Sequence, residues 1–293
     1  MRFAEGEAFS EALSRALMHG TSIGGARPKA LLVDREPVAD GGLAERHMIA
    51  KFSLSTDPYP VVKAEAVAMN LARRVGLNVS SSELVIRAGR DVLLVDRFDR
   101  PGTLGSGPGI IGQRRIMVSA LTILGLSEEQ SRYATYPQLA DEIRRRFTDS
   151  KQALRELFSR IVLNILVSNT DDHARNHAAF WDGQDLTLTP AYDISPQLRP
   201  GQVVAQAMAI TRDRARASKI AVALRAGEEV FNLKPDDARE IVDRQVHTIR
   251  EEWDDAAEEC QLTQADKQLV WERLILNPGV FHPEDPDFDT YGS

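Results

Sequence analysis

Asp171 and Asn176 stand in the polar segment SNTDDHARNH, which follows a long apolar run. Their D-x-x-x-x-N spacing suits phosphoryl transfer, in which the aspartate meets the attacking hydroxyl and the asparagine oxygen holds Mg²⁺. Asp193 follows a predicted hairpin and can supply a second oxygen, because Mg²⁺ needs few protein ligands once phosphate oxygens complete its shell. We therefore predict Asp171 as a catalytic base, with Asn176 and Asp193 as Mg²⁺ ligands. The alternative for this loop is an Asx-rich turn that caps a helix.

Lys51 lies within an otherwise apolar strand pattern, where an unpaired ammonium group is costly. Glu65, on the helix predicted next, can pair with Lys51 and leave the ammonium beside a phosphate. This strand-lysine and helix-glutamate pair positions ATP in protein kinases. An exposed strand lysine is the alternative.

A glycine pair precedes the first predicted strand, in the segment SIGGARPK. Gly24 and Gly25 let backbone N–H groups approach an anion closely, while Arg27 and Lys29 add positive charge. The pattern indicates a phosphate-contacting loop, although a tight turn would use the same glycines.

The order of these signals strengthens the interpretation. A glycine-rich loop, strand lysine, helix glutamate, D-x-x-x-x-N and a strand-end aspartate follow the order found in protein kinases. His173 and His177 have the i, i+4 spacing of a helical zinc site, but position 174 is alanine where the H-E-x-x-H pattern needs glutamate. Phosphoryl transfer is therefore favoured over zinc chemistry.

Hydrophobic periodicity predicts the elements that position these residues. Strands are expected at 29–33, 47–52 and 91–98, with a helix from Pro60 that stops at Gly76. From about residue 117 the pattern turns helical. The clearest predicted helices are a buried one over 154–166 and one that begins at Pro235. Asp182-Gly183 is predicted as a hairpin turn.

These elements predict an α+β, two-lobed, protein-kinase-like fold. A small α/β N-lobe is expected over residues 1–105, a larger and mostly helical C-lobe over 106–282, and a flexible acidic tail over 283–293. The glycine-rich segment 102–112 marks the boundary. A cleft between the lobes is the natural place for a ligand.

Composition limits the class of protein further. The 293 residues carry 36 basic and 43 acidic side chains, a net charge of −7, which argues against a generic nucleic-acid backbone binder. A single cysteine, Cys260, excludes an internal disulfide framework. No apolar run approaches the roughly 18 residues of a membrane span. We expect a cytoplasmic protein that does not bind membranes.

The sequences of several segments resemble those of the HipA-like family of bacterial serine/threonine kinases, which act as toxins of toxin–antitoxin pairs. The resemblance runs in order from about residue 20 to about residue 220. The segments that carry it are SIGGARPKALL, MIAK, AEAVAMNLARRVGLNV, LLVDRFDR, SNTDDHARNHAAF and LTPAYDIS.

The resemblance implies ATP and Mg²⁺ as cofactors and assigns roles along the chain. Asp171 is the catalytic base, Asn176 and Asp193 hold the metal, and Ser22 matches the serine that family members autophosphorylate. The implied ATP contacts are Gly24, Gly25, Ala26, Arg27, Pro28, Lys29, Lys51, Glu65, Asp96, Arg97, Phe98, His173, Ala174, Arg175, Asn176, Tyr192 and Asp193, of which Asp96 to Phe98 form the adenine hinge.

The resemblance also implies partners. These are a cognate antitoxin and a protein substrate such as an aminoacyl-tRNA synthetase. The antitoxin is a DNA-binding HipB-like protein, a small protein that supplies an N-terminal subdomain, or both. DNA is expected only indirectly, through the antitoxin. Longer members carry about a hundred more N-terminal residues, so the chain is interpreted as a compact member. Two alternatives stay open: a catalytically silent module that bridges a DNA-binding antitoxin as a co-repressor, and a small-molecule kinase.

Overall fold

The structure, a computed structural model, describes residues 27–37, 43–87, 89–101, 114–199 and 204–281. Several sequence predictions lie outside these residues: Gly24, Gly25 and Ala26, the phosphate acceptor Ser22, the glycine-rich boundary at 102–112, and the tail 283–293. The described residues form two compact units. The first comprises the described parts of Met1–Ala66 and Ser80–Arg115, and the second those of Val67–Val79 and Ile116–Ser293.

The first unit is built on a four-stranded antiparallel sheet with the order β1-β2-β4-β3. The three predicted strands are confirmed as β1, β2 and β4, whereas the sequence pattern did not predict β3. β4 ends two residues before the predicted end because the chain turns there, with Arg100 N donating to Arg97 O at 3.0 Å. The strands are β1 (Lys29–Pro37), β2 (Leu43–Phe52), β3 (Ser82–Arg87) and β4 (Arg90–Asp96).

Alternate strand residues divide between the two faces of this sheet. One face carries a hydrophobic core cluster formed by Ala30, Leu32, Met48, Ala50, Phe52, Val92 and Leu94. Lys51 has the opposite parity and therefore lies on the other face, where its Cα partners are Lys29 on β1 and Leu93 on β4. The register thus places two lysines side by side.

Helix α1 (Val61–Arg74) confirms the helix predicted between Pro60 and Gly76. Gly76 adopts φ +85°, a left-handed conformation that costs glycine little, and Leu77 N donates to Ala72 O at 3.0 Å. Arg73 and Arg74 lie in the last turn, where cations interact favourably with the helix dipole. The first part of α1 belongs to the first unit, and the part from Val67 onward belongs to the second.

The second unit contains a three-stranded antiparallel sheet, β5 (Met117–Ser119), β6 (Ala178–Trp181) and β7 (Leu186–Leu188). The predicted hairpin turn is confirmed between β6 and β7. Gly183 has φ +108°, and the Asp182 carboxylate accepts from Gln184 N and Asp185 N at 2.9 Å each. The helical pattern expected from about residue 117 is wrong for β5, which pairs with β6.

Helix α4 is the centre of the second unit and confirms the buried helix predicted at 154–166. Asp149 caps its N-terminus by accepting from Gln152 N at 2.9 Å. α4 contacts α3, α5 and α6, and Gln245 Nε2 on α6 donates to Ser159 O at 2.9 Å. The helices are α2 (Ala120–Ile123), α3 (Tyr136–Arg146), α4 (Ser150–Leu166), α5 (Ile220–Glu229), α6 (Pro235–Glu259) and α7 (Gln264–Arg273).

Among the residues that the structure describes, no helix combines the length and the apolar character that crossing a membrane requires.

Candidate active site

Lys51 and Glu65 form the ion pair expected from the sequence. The ammonium of Lys51 on β2 contacts Glu65 Oε1 on α1, and the two side chains are only 9% and 4% exposed. A buried charge is tolerated where an opposite charge lies against it. The pair therefore fixes the Lys51 ammonium on the sheet face that also carries Lys29.

Arg27 and Lys29, the described cations of the predicted phosphate loop, have different surroundings. The Arg27 guanidinium donates to both carboxylate oxygens of Asp57 at 2.8 Å, and Asp57 also accepts from Leu54 N at 3.0 Å. Lys29, which Pro28 precedes, is half-buried and forms no ion pair within the described residues. Lys29 is thus the cation of this segment whose charge is not already matched by a carboxylate.

The predicted hinge residues Asp96, Arg97 and Phe98 lie at the end of β4 and just beyond it. Asp96 accepts from Arg46 Nε at 2.7 Å, and Arg97 N donates to His47 O at 2.8 Å. The Arg97 guanidinium turns to Asp99 with contacts of 3.0 and 2.6 Å. Burial raises the pKa of Asp99, but Arg97 and Arg100 lower it more, so this carboxylate stays ionised.

The predicted catalytic loop follows α4 directly and is not helical between Val167 and His177. Ser168 adopts φ 55°, an uncommon conformation for a residue other than glycine, and Asn169 N donates back to Asn164 O at 2.7 Å. These contacts end the helix and turn the chain. Asp171 is exposed, whereas its neighbour Asp172 is 3% exposed.

Asn176 is oriented by two hydrogen bonds within the loop. Its backbone N donates to His173 O at 2.8 Å, and its side-chain Nδ2 donates to Asp171 O at 3.3 Å. Because the amide nitrogen makes that bond, the amide oxygen Oδ1 is left as the free end of the side chain.

His173 and His177 do not share a helix face, since neither lies in a helix. His177 instead donates from Nε2 to Asp172 Oδ2 at 2.9 Å and packs edge-on against the Tyr136 ring at 5.6 Å. No group of three or more His, Cys, Asp or Glu side chains suited to a metal ion occurs in the described ranges. The geometry required for the zinc alternative is therefore absent from this segment.

Asp172 is the acceptor at the centre of a buried polar network. Its Oδ2 accepts from Tyr136 OH on α3, from Asn164 Nδ2 on α4 at 2.7 Å, and from His177 Nε2. Burial raises the pKa of Asp172, but the neighbouring His177 and the hydrogen bonds from His177 and Tyr136 lower it more, so the net shift is downward. Burial and the adjacent Asp172 hold the pKa of Tyr136 well above its ordinary value.

Tyr192 contacts the same loop, and Asp193 follows Tyr192 directly in the chain. Tyr192 OH donates to Arg175 O at 2.7 Å, and burial, with Asp193 and Asp172 nearby, raises the pKa of Tyr192. Asp193 is half-buried and adopts φ 60°, a conformation that is sparsely populated outside glycine and concentrates at functional sites.

Arg160 on α4 supports the chain that leads to Tyr192. Its Nη2 donates to Thr189 O at 2.8 Å and to Asn78 O at 3.3 Å, and its Nε donates to Glu156 at 2.9 Å. The backbone there is tied further by Ala191 N, which donates to Asn78 O at 2.7 Å.

The structure thus brings the predicted residues together in two groups. Lys29, Lys51 and Glu65 share the first unit's sheet and helix, and the segment from Asp171 to Asn176 is joined in the second unit to Tyr192, which Asp193 follows. Sequence reasoning missed Tyr136, Arg160, Asn164 and the central place of Asp172. Arg160 and Asn164 stand four residues apart in an apolar helix, a signal that was available in the sequence.

Comparison with known proteins identifies a family whose sequence profile matches most of the chain. The sequence profile described as the HipA-like C-terminal domain matches residues 21–253. Similar curated proteins include the putative kinase Y4mE of Sinorhizobium fredii, 29% identical over 187 residues that cover 59% of this chain and 41% of that protein. Another is the serine/threonine-protein kinase toxin HipA of Shewanella oneidensis, 26% identical over 190 residues that cover 59% and 42%.

Solved structures agree with the fold. The Shewanella oneidensis toxin–antitoxin complex of HipA, HipB and operator DNA aligns with a TM-score of 0.67 at 19% identity, covering 89% of this chain and 67% of that one. The Helicobacter pylori proinflammatory kinase CtkA aligns with a TM-score of 0.50 at 13% identity, covering 86% and 96%. These neighbours confirm the predicted α+β, kinase-like fold. The matched region spans about two fifths of the two curated relatives, at 41% and 42% of their lengths.

Proposed function

The chain belongs to the HipA-like family, and from that premise we propose that it is an ATP- and Mg²⁺-dependent protein serine/threonine kinase acting as the toxin of a bacterial toxin–antitoxin system. The observation that carries the proposal is the buried Lys51–Glu65 pair, set on a strand and a helix as in protein kinases.

The charge pattern of the first unit supports binding of a polyphosphate. Lys29 and Lys51 are directly opposite on β1 and β2, and like charges in that position destabilise a sheet. Glu65 balances one positive charge and leaves the other for an anionic ligand. We assign ATP contacts to Arg27, Pro28, Lys29, Lys51 and Glu65, with the adenine near Asp96, Arg97 and Phe98, and we extend them by family likeness to Gly24, Gly25 and Ala26.

The second unit offers the groups for transfer of the γ-phosphoryl group. The exposed Asp171 orients the attacking hydroxyl and accepts its proton. His173, Ala174, Arg175 and Tyr192 contact the nucleotide in this proposal.

Asn176 Oδ1 and the Asp193 carboxylate are the hard oxygen donors that suit Mg²⁺. They fit because Asn176 Nδ2 donates to Asp171 O at 3.3 Å, so the amide oxygen is not the atom that makes this bond. When bound, Mg²⁺ would supply positive charge against the phosphate oxygens.

We propose the partners and the substrate of this chain from its likeness to the family. The Shewanella oneidensis relative was solved with HipB and operator DNA, so we propose a DNA-binding antitoxin for this chain, with DNA reached only through it. We propose a translation-related protein as substrate and Ser22 as the site of autophosphorylation. A phosphate on Ser22 would add about −1.5 to −2 charge and oppose the bound triphosphate.

Labelled ATP tests the proposal. Purified protein, incubated with γ-labelled ATP, Mg²⁺ and a bacterial lysate, is expected to label a protein band and Ser22, located by mass spectrometry of wild type and Ser22→Ala. The matched control is Lys51→Met, which removes the ammonium and keeps the length of the side chain. Label on a small molecule alone would favour the small-molecule kinase. ATP binding with no transferred phosphate would favour the silent co-repressor.

A further inference from the structure

Asp172 is held from three directions by side chains that come from different elements. Tyr136 OH belongs to α3, Asn164 Nδ2 at 2.7 Å belongs to α4, and His177 Nε2 at 2.9 Å lies just before β6. A carboxylate only accepts hydrogen bonds, so all three partners donate and the Nε2 atom of His177 carries its hydrogen. Asp172 therefore joins two helices to the far end of the loop.

The network continues from Asn164 into the near end of the loop. Asn164 Oδ1 accepts from Asn169 Nδ2 at 3.0 Å, and Asn164 O accepts from Asn169 N at 2.7 Å. Both ends of the segment from Asn169 to His177 are thus tied to the same Asn164–Asp172 pair.

Burial makes the loss of any of these hydrogen bonds costly. Tyr136, Asp172 and His177 are 1%, 3% and 3% exposed, so a donor that lost its acceptor would have no water to replace it. Hydrogen bonds to a carboxylate are also stronger than bonds between neutral groups.

We propose that Asp172 is a positioning residue: by anchoring the loop to α3 and α4, it sets the direction in which the adjacent Asp171 presents its carboxylate. This role rests on the proposed kinase function. Asp172 stays inside the second unit and has no contact with substrate in this assignment. It acts on the reaction only through the backbone that it shares with Asp171.

The kinetic signature separates positioning from nucleotide binding. Asp172→Ala is expected to lower kcat roughly 100-fold, the loss that a misplacement of about 1 Å at the reacting groups produces. The Kd for ATP should rise by no more than the order of 10-fold expected from loss of the metal contacts, because Lys29 and Lys51 belong to the first unit and keep their contacts. Asp172→Asn retains an oxygen at the same place and should recover much of the kcat lost in Asp172→Ala.

Hydrogen–deuterium exchange supplies a measurement that needs no kinase activity. In Asp172→Ala, peptides covering residues 168–177 should exchange faster, while peptides from α6 exchange as in wild type. Asp254→Ala is the matched control, since Asp254 is 86% exposed on α6 and should change neither exchange nor kcat.

The outcomes separate the two proposals. An Asp172→Ala protein with wild-type kcat and wild-type exchange at 168–177 overturns the positioning role. Equal losses of kcat in Asp172→Ala and Asp172→Asn, with faster exchange spread over the whole chain, also overturn it, because the residue would then only stabilise the fold. A wild-type protein that transfers no phosphate removes the kinase proposal and this role in catalysis with it, while the exchange measurement still reports whether Asp172 anchors the loop.

Discussion

Two adjacent aspartates, Asp171 and Asp172, have opposite surroundings. Asp171 is exposed at the surface of the loop, whereas Asp172 is buried and receives three side-chain hydrogen bonds. An exposed carboxylate can reach a substrate hydroxyl, and a buried one can hold the backbone that carries it. In the proposed kinase, the doublet would combine a reactive group with its support in consecutive residues.

Asp171→Asn tests the reactive member of the doublet. The substitution keeps the size of the side chain and removes the proton acceptor, so we expect kcat to fall about 10²- to 10⁴-fold. The midpoint of thermal unfolding and the Kd for ATP should stay at wild-type values, because Asp171 lies at the surface. Steady-state kinetics with calorimetry measures both. An Asp171→Asn enzyme that turns over at the wild-type rate would exclude Asp171 as the base.

The lowered pKa of Asp172 predicts that the free energy of unfolding falls at acidic pH. Its pKa is lowered in the folded state, so the folded protein binds the proton at a lower pH than the unfolded chain, whose aspartate pKa is about 3.9. The resulting stabilisation is fully present above that value and is lost as pH falls through the folded pKa. Urea unfolding from pH 3 to 7 should show a stability difference between wild type and Asp172→Asn that is constant near neutrality and shrinks below about pH 4. A difference independent of pH would contradict the shift.

At the scale of elements, hydrophobic periodicity predicted the strands and helices whose patterns are set within the element itself. It missed the features that depend on contacts between residues distant in sequence. The alternation of β2 and the spacing of α1 placed Lys51 and Glu65 correctly, because each pattern is set by its own strand or helix. β3 and β5 were missed, since short strands depend on the neighbours with which they pair. The Asp172 network was also missed, because Tyr136 and Asp172 are 36 residues apart and no local pattern links them.

Arg160 allows a test of how α4 supports the segment before Asp193. Arg160→Met keeps most of the apolar length, removes the Arg160 donor from the buried Thr189 carbonyl and leaves Asn78 O with Ala191 N, so we expect a loss of about 1–3 kcal/mol in the free energy of unfolding. Arg155→Met on the same helix is the control and should change stability by less than about 0.5 kcal/mol. Chemical denaturation measures both. Equal effects of the two substitutions would show that the Arg160 contacts to these carbonyls do not stabilise the unit.

For the molecule as a whole, charge decides how a nucleotide can bind. The chain carries a net charge of −7, so its overall field opposes an anion such as ATP. In the proposed kinase, ATP binding would rest on local positive charge, which Lys29 and Lys51 provide on one sheet face, and on a divalent cation of the kind that Asn176 and Asp193 oxygens suit. Each source of positive charge can be removed separately.

Removal of the metal is the clearest test of this balance. Calorimetric titration with ATP in Mg²⁺ should show binding that weakens on the order of 10-fold in EDTA, equivalent to about 1.4 kcal/mol. In Asp193→Asn the affinity measured with Mg²⁺ should fall toward the EDTA value of wild type, and EDTA should then cost little more, because the metal has lost its carboxylate. Lys51→Met should weaken binding in both buffers, since in the proposed site its ammonium acts on the phosphates directly. Equal affinity with and without Mg²⁺ in wild type would remove Asn176 and Asp193 from the metal site while leaving the two lysines as the nucleotide's electrostatic partners.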